Sequence, residues 1–304
     1  MRPLLLLLLT ACTDTIAGPD KGALDSQDTG AVTDTGPHTE TGETDTTVDT
    51  GWDLPDGEDL AFVNEDADLI GLHFNTDASL SPTPDKTWTV PGSGGQMLLC
   101  DFDGDGLDDA WALGENSSGD LTVKVYPNEG GSFADTESFS GSLGFNAVNY
   151  TYACGDLGGS GRADLIAFRA DNARLFVYVN NGGSFDGDNP VKTNTSFGAN
   201  TRWLPADYDG DGTDELGALS GGTLKVYRAN ERVVDTSSPI ATGSVLDDYE
   251  VTVLDLDHDD RADLVQYNGA ALLVWPGTGS SFDQAAGTVF TVVDTGTPVG
   301  ANLR

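Results

Sequence analysis

From about residue 58 onward the apolar residues come in short extended runs, each closed by glycine, asparagine or a carboxylate. One set reads Met97-Leu-Leu-Cys100, Asn149-Tyr-Thr-Tyr-Ala153, Thr201-Arg-Trp-Leu204 and Glu250-Val-Thr-Val-Leu254. A second reads Asp109-Ala-Trp-Ala-Leu113, Asp164-Leu-Ile-Ala-Phe168, Glu215-Leu-Gly-Ala-Leu219 and Asp263-Leu-Val-Gln-Tyr267. A third reads Leu121-Thr-Val-Lys-Val-Tyr126, Leu175-Phe-Val-Tyr-Val179, Leu224-Lys-Val-Tyr227 and Leu272-Leu-Val-Trp275. Three of these third runs lead into a turn, Gly130-Gly-Ser-Phe133, Gly182-Gly-Ser-Phe185 or Gly279-Ser-Ser-Phe282. Runs this short, rich in β-formers and parted by glycine turns, predict strands and no helix. The fold class is all-β.

Between the first and second runs lies an acidic phrase, written at Asp101-Phe-Asp-Gly-Asp-Gly-Leu-Asp-Asp109, Asp156-Leu-Gly-Gly-Ser-Gly-Arg-Ala-Asp164, Asp207-Tyr-Asp-Gly-Asp-Gly-Thr-Asp-Glu215 and Asp255-Leu-Asp-His-Asp-Asp-Arg-Ala-Asp263. Its first residues stand at 101, 156, 207 and 255, at intervals of 55, 51 and 48. That is the period of a four-stranded propeller blade and not of a helical repeat. Strand, acidic hairpin, strand, turn, strand, longer loop, strand is the order of one blade.

On these residues the chain resembles FG-GAP or VCBS repeats, the calcium-loop blades also found in the N-terminal propeller of integrin alpha chains; Phe197-Gly198-Ala199 keeps part of the phrase behind the first name. The resemblance spans residues 58–304 and implies a β-propeller whose acidic loops join the first and second strands of each blade. Asp68-Leu-Ile-Gly-Leu72 matches a second strand, 41 residues before Asp109, and predicts a degenerate blade ahead of the first full one, making five. Val299-Gly-Ala-Asn-Leu-Arg304 echoes Phe197-Gly-Ala-Asn-Thr-Arg202, so a C-terminal first strand is predicted to complete the N-terminal blade. Two alternatives stay open: Leu60-Ala-Phe-Val63 as that blade's own first strand, and a fragment of a larger propeller.

The acidic loops carry the candidate chemistry. Oxygen side chains at positions 1, 3, 5 and 9, with a backbone carbonyl at position 7, suit a hard cation such as Ca2+. The predicted ligands are Asp101, Asp103, Asp105, Leu107 and Asp109; Asp207, Asp209, Asp211, Thr213 and Glu215; and Asp255, Asp257, Asp259, Arg261 and Asp263, with Leu107, Thr213 and Arg261 giving carbonyls only. An acidic hairpin without metal is disfavoured, because carboxylates about 5 Å apart repel by roughly 3 kcal/mol per pair at an effective dielectric near 20. Gly106 and Gly212 supply the sharp bend, whereas Asp260 stands where the fourth loop needs glycine. In the second loop Gly158 and Ser160 replace two carboxylates, which predicts a hairpin with weak calcium binding or none. Two or three calcium sites follow.

Cys100 and Cys154 precede the first aspartates of neighbouring repeats by one and two residues. In extended strands that offset points them to opposite faces. A disulfide and two buried thiols both remain open.

The N-terminus differs from the rest. Arg2, the leucines from Leu4 to Leu9 and Thr10-Ala11-Cys12 form a short targeting signal, far below the roughly 20 apolar residues of a spanning helix. Leu9-Thr10-Ala11-Cys12 resembles a bacterial lipobox, which implies removal of residues 1–11 and lipid on Cys12; the alternative is an ordinary thiol beside a secretory cleavage site. Residues 12–57 lack apolar periodicity and repeat Asp-Thr-Gly and Glu-Thr-Gly, as at Asp28, Asp34, Glu40 and Asp49, which predicts a disordered acidic tether. The expected location is the bacterial cell envelope, lipid-anchored, at the outer membrane or cell surface.

Of the 304 residues only 14 are Lys or Arg, and the formal charge is −36, which excludes the basic footprint of a nucleic-acid binder. Val292-Val-Asp-Thr-Gly-Thr297 looks like an aspartic-protease phrase but lacks a second one in a comparable apolar setting. With three histidines, at His38, His73 and His258, there is little material for a nucleophilic triad. The expected function is a non-catalytic, calcium-stabilised surface module that binds a glycan, matrix component or protein. The alternatives are a propeller enzyme acting on polysaccharide, for which Arg169, Arg174, Arg202 and Lys225 are the basic residues to test, and a scaffold subunit of a surface assembly.

Overall fold

The structure is a computed structural model that describes residues 59–301 except 66, 77–78, 81–82, 92–94, 258 and 292–296. Residues 1–11, the 12–57 segment with Cys12 and His38, His258 and most of the protease-like phrase at 292–297 therefore lie outside the described residues.

Five four-stranded antiparallel sheets make a five-bladed β-propeller. The first blade runs Met97–Cys100, Asp109–Glu115, Asp120–Tyr126 and Phe139–Asn146. The second is Tyr150–Gly155, Asp164–Arg169, Arg174–Tyr178 and Val191–Asn194. The third is Arg202–Ala206, Glu215–Ser220, Thr223–Tyr227 and Ala241–Ser244, and the fourth is Glu250–Leu254, Asp263–Tyr267, Ala271–Trp275 and Thr288–Thr291. First strands of successive blades touch one another, so they line the axis.

Burial grades outward from that axis. Met97–Cys100 is buried at every position, Asp120–Tyr126 alternates buried with half-buried, and Phe139–Asn146 is mostly open to solvent. An inner strand is covered on both faces by neighbouring blades and so carries an unbroken apolar run, while outer strands keep the period-two pattern.

The fifth blade corrects the sequence reading in its details. Its inner strand is Thr297–Ala301, which pairs antiparallel with Asp59–Asn64 and closes the ring from the C-terminal side. Asp59–Asn64 is thus the second strand and not the first, Leu69–His73 is the third and not the second, and Lys86–Thr89 is the fourth. The reason is ring closure: with Thr297–Ala301 in the inner place, the fifth blade has four antiparallel strands like the other four and no strand of the ring is missing. A signal for this assignment stands in the sequence. Asp59-Leu-Ala-Phe-Val63 repeats the acidic start and apolar run of Asp164-Leu-Ile-Ala-Phe168, a second strand.

Neighbouring blades are joined by the glycine turns after the third strands. Phe185 packs against Phe102 and Trp111 of the first blade, with ring centroids 5.5 and 5.3 Å away, and Phe282 meets Tyr208 of the third blade at 6.1 Å. In each case the aromatic that closes the turn packs on the residue at position 2 of the preceding blade's acidic loop. The same turn brings Asn180, whose Nδ2 donates to the Phe102 carbonyl at 2.7 Å.

Cys100 and Cys154 form a disulfide with Cα atoms 6.2 Å apart. Their opposite-face offset argues against a bridge only within one sheet. Adjacent blades stack face to face, so residues on opposite faces of neighbouring inner strands meet.

Candidate metal centres

All four acidic loops lie at the downstream ends of the inner strands, hence on one end of the ring. Position 1 organises each of them. Asp101 accepts from the N–H groups of Gly104 and Gly106 at 2.6 and 2.9 Å, and Asp207 from Gly210 and Gly212, both at 2.7 Å. Asp255 accepts from Asp259 and Asp260, and Asp156 from Gly158 and Gly161. These N–H donors hold the curl that sequence reasoning rested on the cation and on Gly106 and Gly212. The bend needs a left-handed residue at position 6, with φ of 87° at Gly106 and 82° at Gly212; Asp260 takes 63° there, where a β-carbon is unfavourable.

Position 9 begins the second strand and is held from two sides. Asp109 accepts from the N–H groups of Phe102 and Asn128, Asp263 from Leu256 and Gly277, and Glu215 from Tyr208. The loops are also chained together. Position-8 N–H groups of Ala163, Asp214 and Ala262 donate to the position-1 carbonyls of Asp101, Asp156 and Asp207 at 2.7, 3.0 and 2.7 Å.

Three carboxylate triads come within 4.8 Å of mutual contact: Asp101, Asp103 and Asp109; Asp207, Asp209 and Glu215; and Asp255, Asp257 and Asp259. Three other predicted carboxylate ligands stand outside these triads. Asp105 and Asp211 accept instead from the N–H groups of Leu107 and Thr213, and Asp263 keeps the two donors named above. Arg261, a predicted carbonyl ligand, sends its guanidinium to Asp259, 2.8 Å away.

Gathering carboxylates in this way has an electrostatic cost. Burial first, then neighbouring carboxylates, pushes the Asp101 carboxyl up to about 6, against the pull of its two N–H donors. Burial likewise lifts Asp109 and Asp255 to about 7, and Glu215 and Asp263 to about 8. Each triad gathers more carboxylates than the single arginine at the third and fourth loops can neutralise. Asp209, with one-tenth of its side chain exposed, pairs through Oδ2 with Arg228, while its Oδ1 is buried without a hydrogen-bond partner. An all-oxygen donor set with an orphaned carboxylate oxygen fits a hard divalent cation.

The second loop is built differently. Asp164, fully buried, pairs with Arg232 from the third blade, Nε to Oδ2 2.6 Å, and its carboxyl is raised only to about 6 because the Asn180 N–H and that guanidinium oppose burial. Sequence reading did not single out Arg232, which is distant along the chain and outside every acidic phrase.

At the opposite end of the inner strands, between the first and second blades, a cleft of about 690 Å³ is lined by Gln96, Glu115, Thr122, Lys124, Tyr150 and Tyr152, among others. The Arg169 guanidinium lies 5.7 Å from the Tyr150 ring centre. The four basic residues weighed for catalysis are not gathered around the axis. Arg169 and Arg174 sit on the second and third strands of the second blade, Lys225 on the third strand of the third, and only Arg202 is on an inner strand, held by Glu250 and the Val251 carbonyl.

No protein-family model matches the chain, and no curated protein matches it. Among solved structures, the chain is similar to an Agrocybe aegerita lectin described as recognising non-reducing terminal N-acetylglucosamine, at 19 % identity, over 81 % of this chain and 69 % of that one, with a TM-score of 0.44. It is also similar to the Photorhabdus luminescens Tc holotoxin pore at 16 % identity, over 78 % of this chain and 12 % of that one, with a TM-score of 0.43. Similarity this low leaves the fold to be read from the strand order itself.

Proposed function

We propose that this chain is a non-catalytic binding module of the bacterial cell surface, of the FG-GAP or VCBS kind, stiffened by calcium in the loops at Asp101, Asp207 and Asp255 and carried on a lipid at Cys12. The observation that carries this reading is the division of labour between the two ends of the ring. The carboxylate triads, each with at least one buried member, occupy one end. The other end holds the interblade cleft, where tyrosine rings, an ammonium group and a carboxylate offer the apolar faces and hydrogen bonds that a sugar or peptide needs. In this reading calcium holds the hairpins, and the ligand meets Tyr150, Lys124 and Glu115.

The test is capture of surface glycans and proteins by the purified protein, comparing wild type with Tyr150→Ala. Ligand retained by wild type and lost with Tyr150→Ala supports the module. Retention indifferent to Tyr150 moves the ligand elsewhere, and shortened saccharide products in the flow-through replace the module with a polysaccharide-cleaving enzyme.

A further inference from the structure

We infer that Arg232 is the resident cation of the second acidic loop, its guanidinium standing where the other loops take a metal ion, so that the joint between the second and third blades is locked without metal. This rests on the reading of the other three loops as cation sites.

Four observations converge. The first is the pairing already described: Arg232 Nε lies 2.6 Å from Asp164 Oδ2, with side-chain exposures of 19 % and 0 %. Asp164 holds position 9 of its loop, the place of Asp109 and Glu215 in the triads of the first and third loops.

The second is the fit at Gly158, which occupies position 3. A β-carbon on Gly158 would stand 2.5 Å from both terminal nitrogens of Arg232 and closer still to the guanidinium carbon. Gly158 is not among the residues with positive φ, so its backbone accepts any side chain. A β-carbon there would have to push aside the Arg232 guanidinium, which the Asp164 pair holds in place. The guanidinium thus fills the volume where Asp103 and Asp209 place a carboxylate in their own loops.

The third is an internal comparison among blades. In four of the blades the third strand is followed by a six-residue hairpin that leans on the preceding blade: Asn128–Phe133, Asn180–Phe185, Gly277–Phe282 and, in the third blade, the pair Ala229–Asn230 and Val233–Val234. The hairpin facing the first loop has Gly182-Gly183 at its tip, and the one facing the third loop has Gly279-Ser280. The tips facing the first and third loops therefore offer no basic side chain to the carboxylates. The tip facing the loop that has lost two carboxylates carries Glu231-Arg232. Loss of acid and gain of base occur at the same joint.

The fourth is backbone strain. Glu231 and Arg232 have φ of 48° and 68°, in the left-handed region that Gly182 and Gly183 enter freely. Side chains that bear a β-carbon persist there when something else holds them, and the Asp164 ion pair does so.

One measurement of stability and one of calcium stoichiometry test the inference. In excess chelator, Arg232→Ser is expected to lower Tm by roughly 5–10 °C, because a buried carboxylate loses its partner. Also in chelator, Gly158→Ala should lower Tm in the wild-type background and cost nothing further in Arg232→Ser. Equal cost in both backgrounds, or no loss with Arg232→Ser, overturns the inference. For stoichiometry, equilibrium dialysis with calcium should show one more ion bound by Gly158→Asp/Ser160→Asp/Arg232→Ser than by wild type. The same two aspartates with Arg232 retained should add none, and an added ion there overturns the inference. If no variant and no wild-type protein binds calcium, the cation reading of the other loops fails, and the chelator measurements alone decide whether the guanidinium locks this joint.

Discussion

Cys100 and Cys154 are bonded across the gap between the inner strands of the first and second blades. The bridge closes a loop with a sequence separation of 54, so it removes freedom from the unfolded chain as well as tying two blades together. Loop-closure entropy gives about 4 kcal/mol for a loop of that size. Cys100→Ser/Cys154→Ser is therefore expected to lower the unfolding free energy by that amount, read as a lower urea midpoint. Wild type in reductant should move to the same value; an unchanged midpoint would mean that the thiols are free.

Chelation should weaken the fold in steps that follow the triads. A site saturated at a hundred times its dissociation constant contributes about 2.7 kcal/mol, which for a propeller of this size is roughly 5–10 °C in Tm. Asp209→Asn should remove one such step, because Asp209 carries the orphaned oxygen of the third loop. Differential scanning calorimetry with calcium and with chelator checks this. A Tm indifferent to calcium would remove the structural role of the metal.

In chelator, the pH dependence of stability should run opposite to ordinary acid unfolding. The carboxyls of Asp109 and Asp255 titrate at about 7 in the folded protein, and those of Glu215 and Asp263 at about 8, all raised first by burial. In the unfolded chain they titrate near 4. The folded state therefore binds protons more tightly, and the stability these groups contribute is complete below about pH 4 and lost as pH rises through 8. Melting the chelated protein between pH 4.5 and 8.5 should show Tm falling with pH, more steeply in wild type than in Asp263→Asn. Saturating calcium should abolish that difference.

The fourth loop carries a backbone penalty that the first and third avoid. Asp260→Gly, at φ 63°, should stabilise the protein by about 1 kcal/mol and tighten calcium at that loop, whereas Gly212→Ala, at φ 82°, should cost a similar amount. Chemical denaturation of the two variants in calcium gives opposite signs if strain at position 6 governs the bend.

Much of this architecture is legible along the chain because its carriers are local. Period-two runs, glycine turns and the spacing of the acidic phrases mark the strands and four of the blades, and position 1 to position 9 of each loop lie within one hairpin. The strand order of the closing blade is less legible, since Thr297–Ala301 and Asp59–Asn64 are paired by ring closure and not by proximity in sequence. The triads are legible as sets of acids, but which carboxylates converge depends on competing N–H donors such as those of Leu107 and Thr213.

By itself, then, the sequence determined the all-β class, the blade repeat and the residues able to hold a hard cation, because each of these is written within a span that one hairpin brings together. Only the tertiary structure decided the bond between Cys100 and Cys154, the clamping of the first acidic loop by the next blade's turn at Asn180, and the arrival of Arg232 at Asp164. The physical reason is common to all three: they are contacts between stacked blades, where residues some 50 to 80 positions apart meet face to face, and no local periodicity records which face meets which.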